Sequence, residues 1–285
     1  MSVNYSGLGL DLQAVVKRAY DNLLYRSSFM NFVNSNYIGE VRQTGTPMIE
    51  IMRQKAVAVT TATSTPDITS ALTPSLASYD QVKVDLTELR VNYSINISPL
   101  VSNIAQAISG QMDLQDAAVA KAVDTYGYDK MFDNTIDEFA WTPSTQQDYI
   151  DNLNDLRSLL FNKDVYDEYR LGLEATEYGK FVSALTSILK YETLSGKEGV
   201  DRGTIANAYG IACFPINSNV LTNGEKGYFA SEVGVVGDAF FTQFNQWNGD
   251  RPGFPGMISI EGIVLFGANV VQPNAVLKLV ETVSA

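Results

Sequence analysis

Asp129, Asp133 and Asp137 recur at every fourth position, a spacing that stacks side chains along one face of a helix if the helix runs that far. Three carboxylates gathered in this way could hold a hard cation such as calcium or magnesium. No glycine-centred binding loop accompanies them, so a solvated acidic face is the preferred reading. Asp148, Asp151 and Asp155 receive the same reading. Two glycine-containing stretches raise phosphate chemistry. Gly7-Leu8-Gly9 precedes a helical pattern, but no strand comes before it and Leu12 stands where a dinucleotide fingerprint needs its third glycine. Ser195-Gly196-Lys197-Glu198 fails as a phosphate loop, because Tyr191 takes the first glycine position and Glu198 replaces the magnesium-binding hydroxyl. It reads as a surface loop.

The chain has no histidine, which removes the commonest general base and the usual partner of a serine or cysteine nucleophile. Cys213 is the only cysteine. An intrachain disulfide is therefore impossible, and its apolar neighbours Ala212 and Phe214 suggest a buried, inert thiol. These residues form no catalytic constellation, and no metal or cofactor is implied.

The elements that would have to position such groups belong to a folded protein. Of 285 residues, 45% are hydrophobic and 11% aromatic, enough to build one large core or two modest ones. The net charge of −12 opposes direct binding to nucleic acid, which needs clustered Lys and Arg. The longest apolar run, Ile263 to Phe266, is too short to span a bilayer, and no signal peptide is visible at the start. A reducing, cytoplasmic setting is expected.

Leu12, Val15, Val16, Ala19, Leu23 and Leu24 predict an amphipathic helix to about Arg26, with Asp11 as its cap. Met48 to Val59 predicts a strand. A second extended stretch follows in which Val82, Val84 and Leu86 form the apolar set, yet from Leu89 the set becomes Leu89, Val91, Tyr93, Ile95 and Ile97. The phase flips near Thr87-Glu88, which requires either a β-bulge or a change of sheet. Between these strands, Thr60 to Ser78 holds ten Ser or Thr in 19 residues, a linker's composition with nothing to link. Asp113 is read as the cap of a helix running towards Met131, and further helices are expected over Asp148–Asn162 and Tyr178–Tyr191. Strands are expected over Tyr169–Leu173, Ile211–Pro215, Tyr228–Asp238, Gly262–Val271 and Ala275–Val280, the last two as a closing pair. The class is α+β.

Several patches, in this order of elements, carry a family resemblance. They are Ile97-Ser98-Pro99-Leu100-Val101-Ser102 leading to the helix from Asp113, Arg170 to Val182, Ala208 to Pro215, and Glu261 to Val280. Over nearly its whole length the chain resembles the major capsid proteins of tailed double-stranded-DNA bacteriophages, the Hong Kong 97-like fold. The resemblance implies an N-arm over 1–37, an E-loop β-ribbon over 38–97, a peripheral domain with its spine helix over 98–134 and 261–285, and an axial domain over 135–260. It implies a structural, non-enzymatic role in an icosahedral head shell, built from pentamers and hexamers in the bacterial host cytoplasm and enclosing DNA without reading its sequence. Scaffolding, portal and decoration proteins would be separate partners, and no membrane is involved.

The polar stretch then becomes the ribbon tip, lying on a neighbouring subunit. Thr65, Asp67, Ile68, Leu72 and Leu76 are its expected contact residues, and Gly196, Lys197, Asp201 and Arg202 those of an axial loop. Some relatives cross-link an E-loop lysine to a neighbour's asparagine; no lysine lies between Lys55 and Lys83, so no such cross-link is expected here. The rival readings are an encapsulin-like compartment holding protein cargo and a ligand-binding module using surface tyrosines with Trp141 or Trp247.

Overall fold

The computed structural model describes residues 12–34, 48–54, 79–98, 103–133, 137–166, 168–185, 205–208, 210–222, 224–248 and 256–281. Helix α1 (Leu12–Arg26) ends in a single 3-10 turn (Phe29–Asn31) and a two-residue strand β1 (Val33–Asn34). Strands β2 (Met48–Gln54) and β3 (Tyr79–Asp85) pair with each other as a separate antiparallel ribbon, in register from Met48↔Asp85 to Gln54↔Tyr79. After a turn at 86–88, β4 (Leu89–Ile97) enters a different, four-stranded sheet. The flip in apolar phase is thus a change of sheet, not a bulge. Leu86 ends the ribbon's buried set with Val84, and Tyr93, Ile95 and Ile97 open the next.

Helix α2 (Ile104–Asp133) spans 30 residues, or ~45 Å at 1.5 Å per residue. It starts nine residues before Asp113, because Asn103 Oδ1 accepts the Gln106 N–H at 3.2 Å and supplies the cap there. Asp113 therefore sits inside the helix, a correction to its expected capping role. The helix stops at Asp133, and Asp137 lies in the next strand, β5 (Asp137–Ala140). The 129–133–137 spacing therefore never becomes a single face.

Helix α3 (Gln146–Phe161) begins with a capping box in which Thr145 accepts from the Asp148 N–H and the Asp148 carboxylate accepts from the Thr145 N–H. Strand β6 (Tyr169–Glu174) runs directly into α4 (Ala175–Leu185), and β7 (Ile205–Ala208) and β8 (Ile211–Ile216) follow. The extended region expected over Tyr228–Asp238 is two strands, β9 (Glu225–Ser231) and β10 (Val235–Asn248), divided by a turn closed by the Gly234 N–H on Ser231 O at 2.9 Å. The last strands, β11 (Ile258–Val270) and β12 (Val276–Val280), do not pair with each other. The 3-10 turn over Pro273–Ala275 carries the chain from one sheet to the other.

The sheets run β1-β10-β11-β4 and β5-β12-β9-β6-β8-β7. Helices α1 and α2 cover the first, burying Val15, Ala19, Leu23, Val119 and Val123 against Tyr93, Ile95, Ile260 and Val264. Helices α3 and α4 cover the second around Leu153, Leu156, Phe181, Leu171 and Leu277. Cys213 is buried there, as its apolar neighbours predict. Trp141 is only 1% exposed and packs edge-on to Tyr149, so it offers no ligand platform on the surface.

Candidate functional site

The ribbon's root and the joint between the N-terminal helix and α2 are where the described residues show unusual construction. At the root, Ile49, Ile51, Val84 and Leu86 form a small core of their own with Val236 and Val271. The chain crosses β11 so closely that a Cβ on Gly267 would lie 2.0 Å from Asp85 O. The turn out of the ribbon is fixed by Asp85, whose Oδ1 accepts from the Thr87 N–H at 2.8 Å and the Thr87 hydroxyl at 2.7 Å. The Thr87 N–H, then the Thr87 hydroxyl, hold the Asp85 carboxyl below its ordinary range. Next to it Glu88 takes the Lys130 ammonium at 2.7 Å and the Tyr126 hydroxyl, tying the turn to the far end of α2. Along the ribbon, Glu50 is shared by Lys83 at 3.2 Å and by the Gln81 amide at 2.8 Å.

At the joint, α2 presents three carboxylates to α1 and the turn after it. Asp113 takes Arg18 and Arg26, each at 3.1 Å. Asp116 is buried and accepts from the Asn22 amide at 2.5 Å and the Tyr93 hydroxyl at 3.0 Å. Asp124, also buried, accepts from the Ser27 hydroxyl (2.5 Å), the Phe29 N–H (3.0 Å), and the Ser28 hydroxyl and N–H (3.1 and 3.2 Å). Burial pushes the Asp124 carboxyl up, and these hydrogen bonds partly oppose it. The exposed pairs at Asp113 contribute little each. Asp124 is different, because its loss would orphan buried donors. Gly127 completes the joint: a Cβ there would meet the Phe29 ring at 2.4 Å, so only glycine lets that ring rest on the helix.

This arrangement positions and braces the elements around it. Asp124 has every oxygen engaged, and Glu225, raised by burial, is held by the Tyr228 hydroxyl and the Thr222 N–H. Among the described residues no group of three potential ligands could hold a metal ion. No described helix is long and apolar enough to cross a membrane. The contact residues expected from the sequence, Thr65, Asp67, Ile68, Leu72 and Leu76 in the ribbon tip and Gly196, Lys197, Asp201 and Arg202 in the polar loop, all lie outside the described residues. Sequence reasoning missed the carboxylate face of α2, although 113, 116 and 124 are separated by three and eight residues and share one side of a helix. Taking Asp113 as the start of the helix concealed that pattern.

The arrangement of these elements defines a class of fold. It is an α+β fold shared with solved phage capsid structures. A chain of Mycobacterium phage Che8 superposes with a TM-score of 0.62 at 18% identity, over 90% of this chain and 92% of that one. The capsid of Ralstonia phage GP4 gives 0.59 at 8% identity, over 84% of each. A virus-like particle from Pyrococcus furiosus gives 0.50 at 10% identity, over 95% of this chain and 100% of that one. No protein-family model and no curated protein sequence matches the chain.

Proposed function

We propose that this chain is the major structural protein of a tailed-phage head, copies of which assemble as pentamers and hexamers into an icosahedral shell around the genome. The observation that carries this reading is likeness of fold over most of both chains, to the capsid of Ralstonia phage GP4 and to a chain of Mycobacterium phage Che8. The physical logic agrees. A ribbon with its own small core, rooted by backbone contact on β11, can project from the body without unfolding. An acidic subunit repels the phosphates of a packaged genome and leaves it loosely held. The role is structural and not catalytic.

Within this reading the N-arm covers 1–37 and the E-loop ribbon 38–97. The peripheral domain takes 98–134 and 261–285, and the axial domain 135–260. Thr65, Asp67, Ile68, Leu72 and Leu76 at the ribbon tip, and Gly196, Lys197, Asp201 and Arg202 in the polar loop, contact neighbouring subunits. The shell assembles in the host cytoplasm and resides in the virion, with separate scaffolding, portal and decoration proteins as further partners. Negative-stain microscopy of the expressed chain, alone and with its phage's assembly partners, tests the proposal. Closed shells support it, and a strictly monomeric species under all conditions refutes it. The fold of the Pyrococcus particle motivates one rival, a compartment for protein cargo. Purified shells containing an enzyme in place of nucleic acid would favour that rival.

A further inference from the structure

A groove of about 550 Å3 runs between the α1–α2 joint and the turn that follows β8. Its walls include Arg26, Ser28, Lys121, Asp124, Asn217 and Val220. Most of its polar groups are already engaged. The Ser28 hydroxyl donates to Asp124, and Arg26 is held by Asp113 through both the carboxylate and the backbone carbonyl. Two groups differ. Lys121 is exposed, and its ammonium has no carboxylate partner among the described residues. Asn217 uses Oδ1 to accept the Asn219 N–H at 3.0 Å, which leaves its Nδ2 donor without a partner among the described residues. The groove thus offers one cationic and one neutral donor against a partly apolar wall.

We infer that this groove receives an acidic segment of a second copy of this chain, one Asp or Glu carboxylate being taken by Lys121 with help from the Asn217 amide. The inference rests on the shell reading above. Charge complementarity selects the occupant. Each subunit carries a net charge of −12, so packing copies together is opposed by their mutual repulsion. A lysine with no carboxylate partner among the described residues, set in a concave wall, is then a place where a neighbour's carboxylate is welcome. Nucleic acid is the poorer occupant, because Asp124 lines the same wall and phosphate binding needs clustered cations.

The test uses the full chain as wild type, Lys121→Gln, Lys121→Glu and Lys121→Arg, assembled over a concentration series and read by sedimentation. The critical concentration should rise about 5-fold for Lys121→Gln at low salt, further for Lys121→Glu, and stay at the wild-type value for Lys121→Arg. The difference should shrink in about 0.5 M sodium chloride. Melting of the unassembled subunits should be the same for all four, since Lys121 makes no ion pair within the described fold. Wild type and Lys121→Glu assembling at the same concentration would overturn this inference and leave the shell reading standing. A wild type that never assembles overturns both. Protection of the subunit by inorganic phosphate that depends on Lys121, with assembly unchanged by Lys121→Glu, also overturns it, in favour of a small-anion site.

Discussion

Replacing Gly267 with alanine should loosen the ribbon's root while leaving both sheets in place. The added Cβ would lie 2.0 Å from Asp85 O and 2.7 Å from the Leu86 Cα, and both are backbone atoms that no rotamer change can move. A carbon–oxygen contact needs ~3.3 Å, so the crossing strands must separate by roughly 1.3 Å. Strand β11 cannot yield easily, since it is laddered to β10 on one side and to β4 on the other. The ribbon root must move. That shift lifts Leu86, now fully buried, and Val84 away from Val236 and Val271. Overpacking costs about 1–3 kcal/mol, and partial exposure of one leucine adds ~1 kcal/mol. A loss of about 3 kcal/mol should lower the Tm of the unassembled subunit by ~6–12 °C. Urea unfolding of the subunit measures it. Gly110→Ala is the control: it sits on α2 with nothing within 4 Å of the new Cβ, so it should be neutral or stabilising by up to ~1 kcal/mol. Gly267→Ala within ~0.5 kcal/mol of wild type would refute the close-contact account of the root.

Four further outcomes are expected. Asp124→Ala strands the Ser27 hydroxyl and the Phe29 N–H in a buried site and should cost about 3 kcal/mol in urea unfolding, with protease cleavage near residues 27–34 as a second readout. Thr145→Ala removes one half of the α3 capping box and should cost about 1 kcal/mol. Its partner Asp148 is held down to about 2, first by the Ser144 N–H and hydroxyl and then by Thr145. A carboxyl lowered on folding stabilises fully above its unfolded value of 3.8, and that contribution is lost as the pH falls from there towards 2. Asp148→Asn should therefore flatten the acid limb of the stability curve in that window, as followed by thermal melts. Deletion of Thr63 to Ser75 should leave a folded subunit, by circular dichroism, that fails to build stable shells. Normal shells without that segment would make it a mere spacer.

Elements with a clear hydrophobic period were legible in the sequence. Helix α1 ends at Arg26 as its 3.6-residue pattern predicts, and β6 and β8 stand where short apolar runs lie between polar ones. Boundaries set by single side chains were not. Asn103 and Asp113 are both competent caps; the structure has the cap at Asn103, and Ile108 and Met112 in the added turns are buried in the core. Nor could Tyr228–Asp238 be seen as two strands, since Glu232 to Gly234 lie within one extended pattern and the reversal there is made by a backbone contact.

Composition and periodicity alone determined the class, the absence of histidine chemistry, the acidic surface and the ribbon's change of phase, because these depend only on residue type and local spacing. The partners of each strand were settled by tertiary structure. β3 and β4 are consecutive yet lie in different sheets, and so do β9 and β10, and β11 and β12. Period-two patterning says which face of a strand is buried but not against what. The carboxylate face of α2 needed α1 to lie across it before Asp116 and Asp124 could be recognised as the acceptors that hold the N-terminal helix in place.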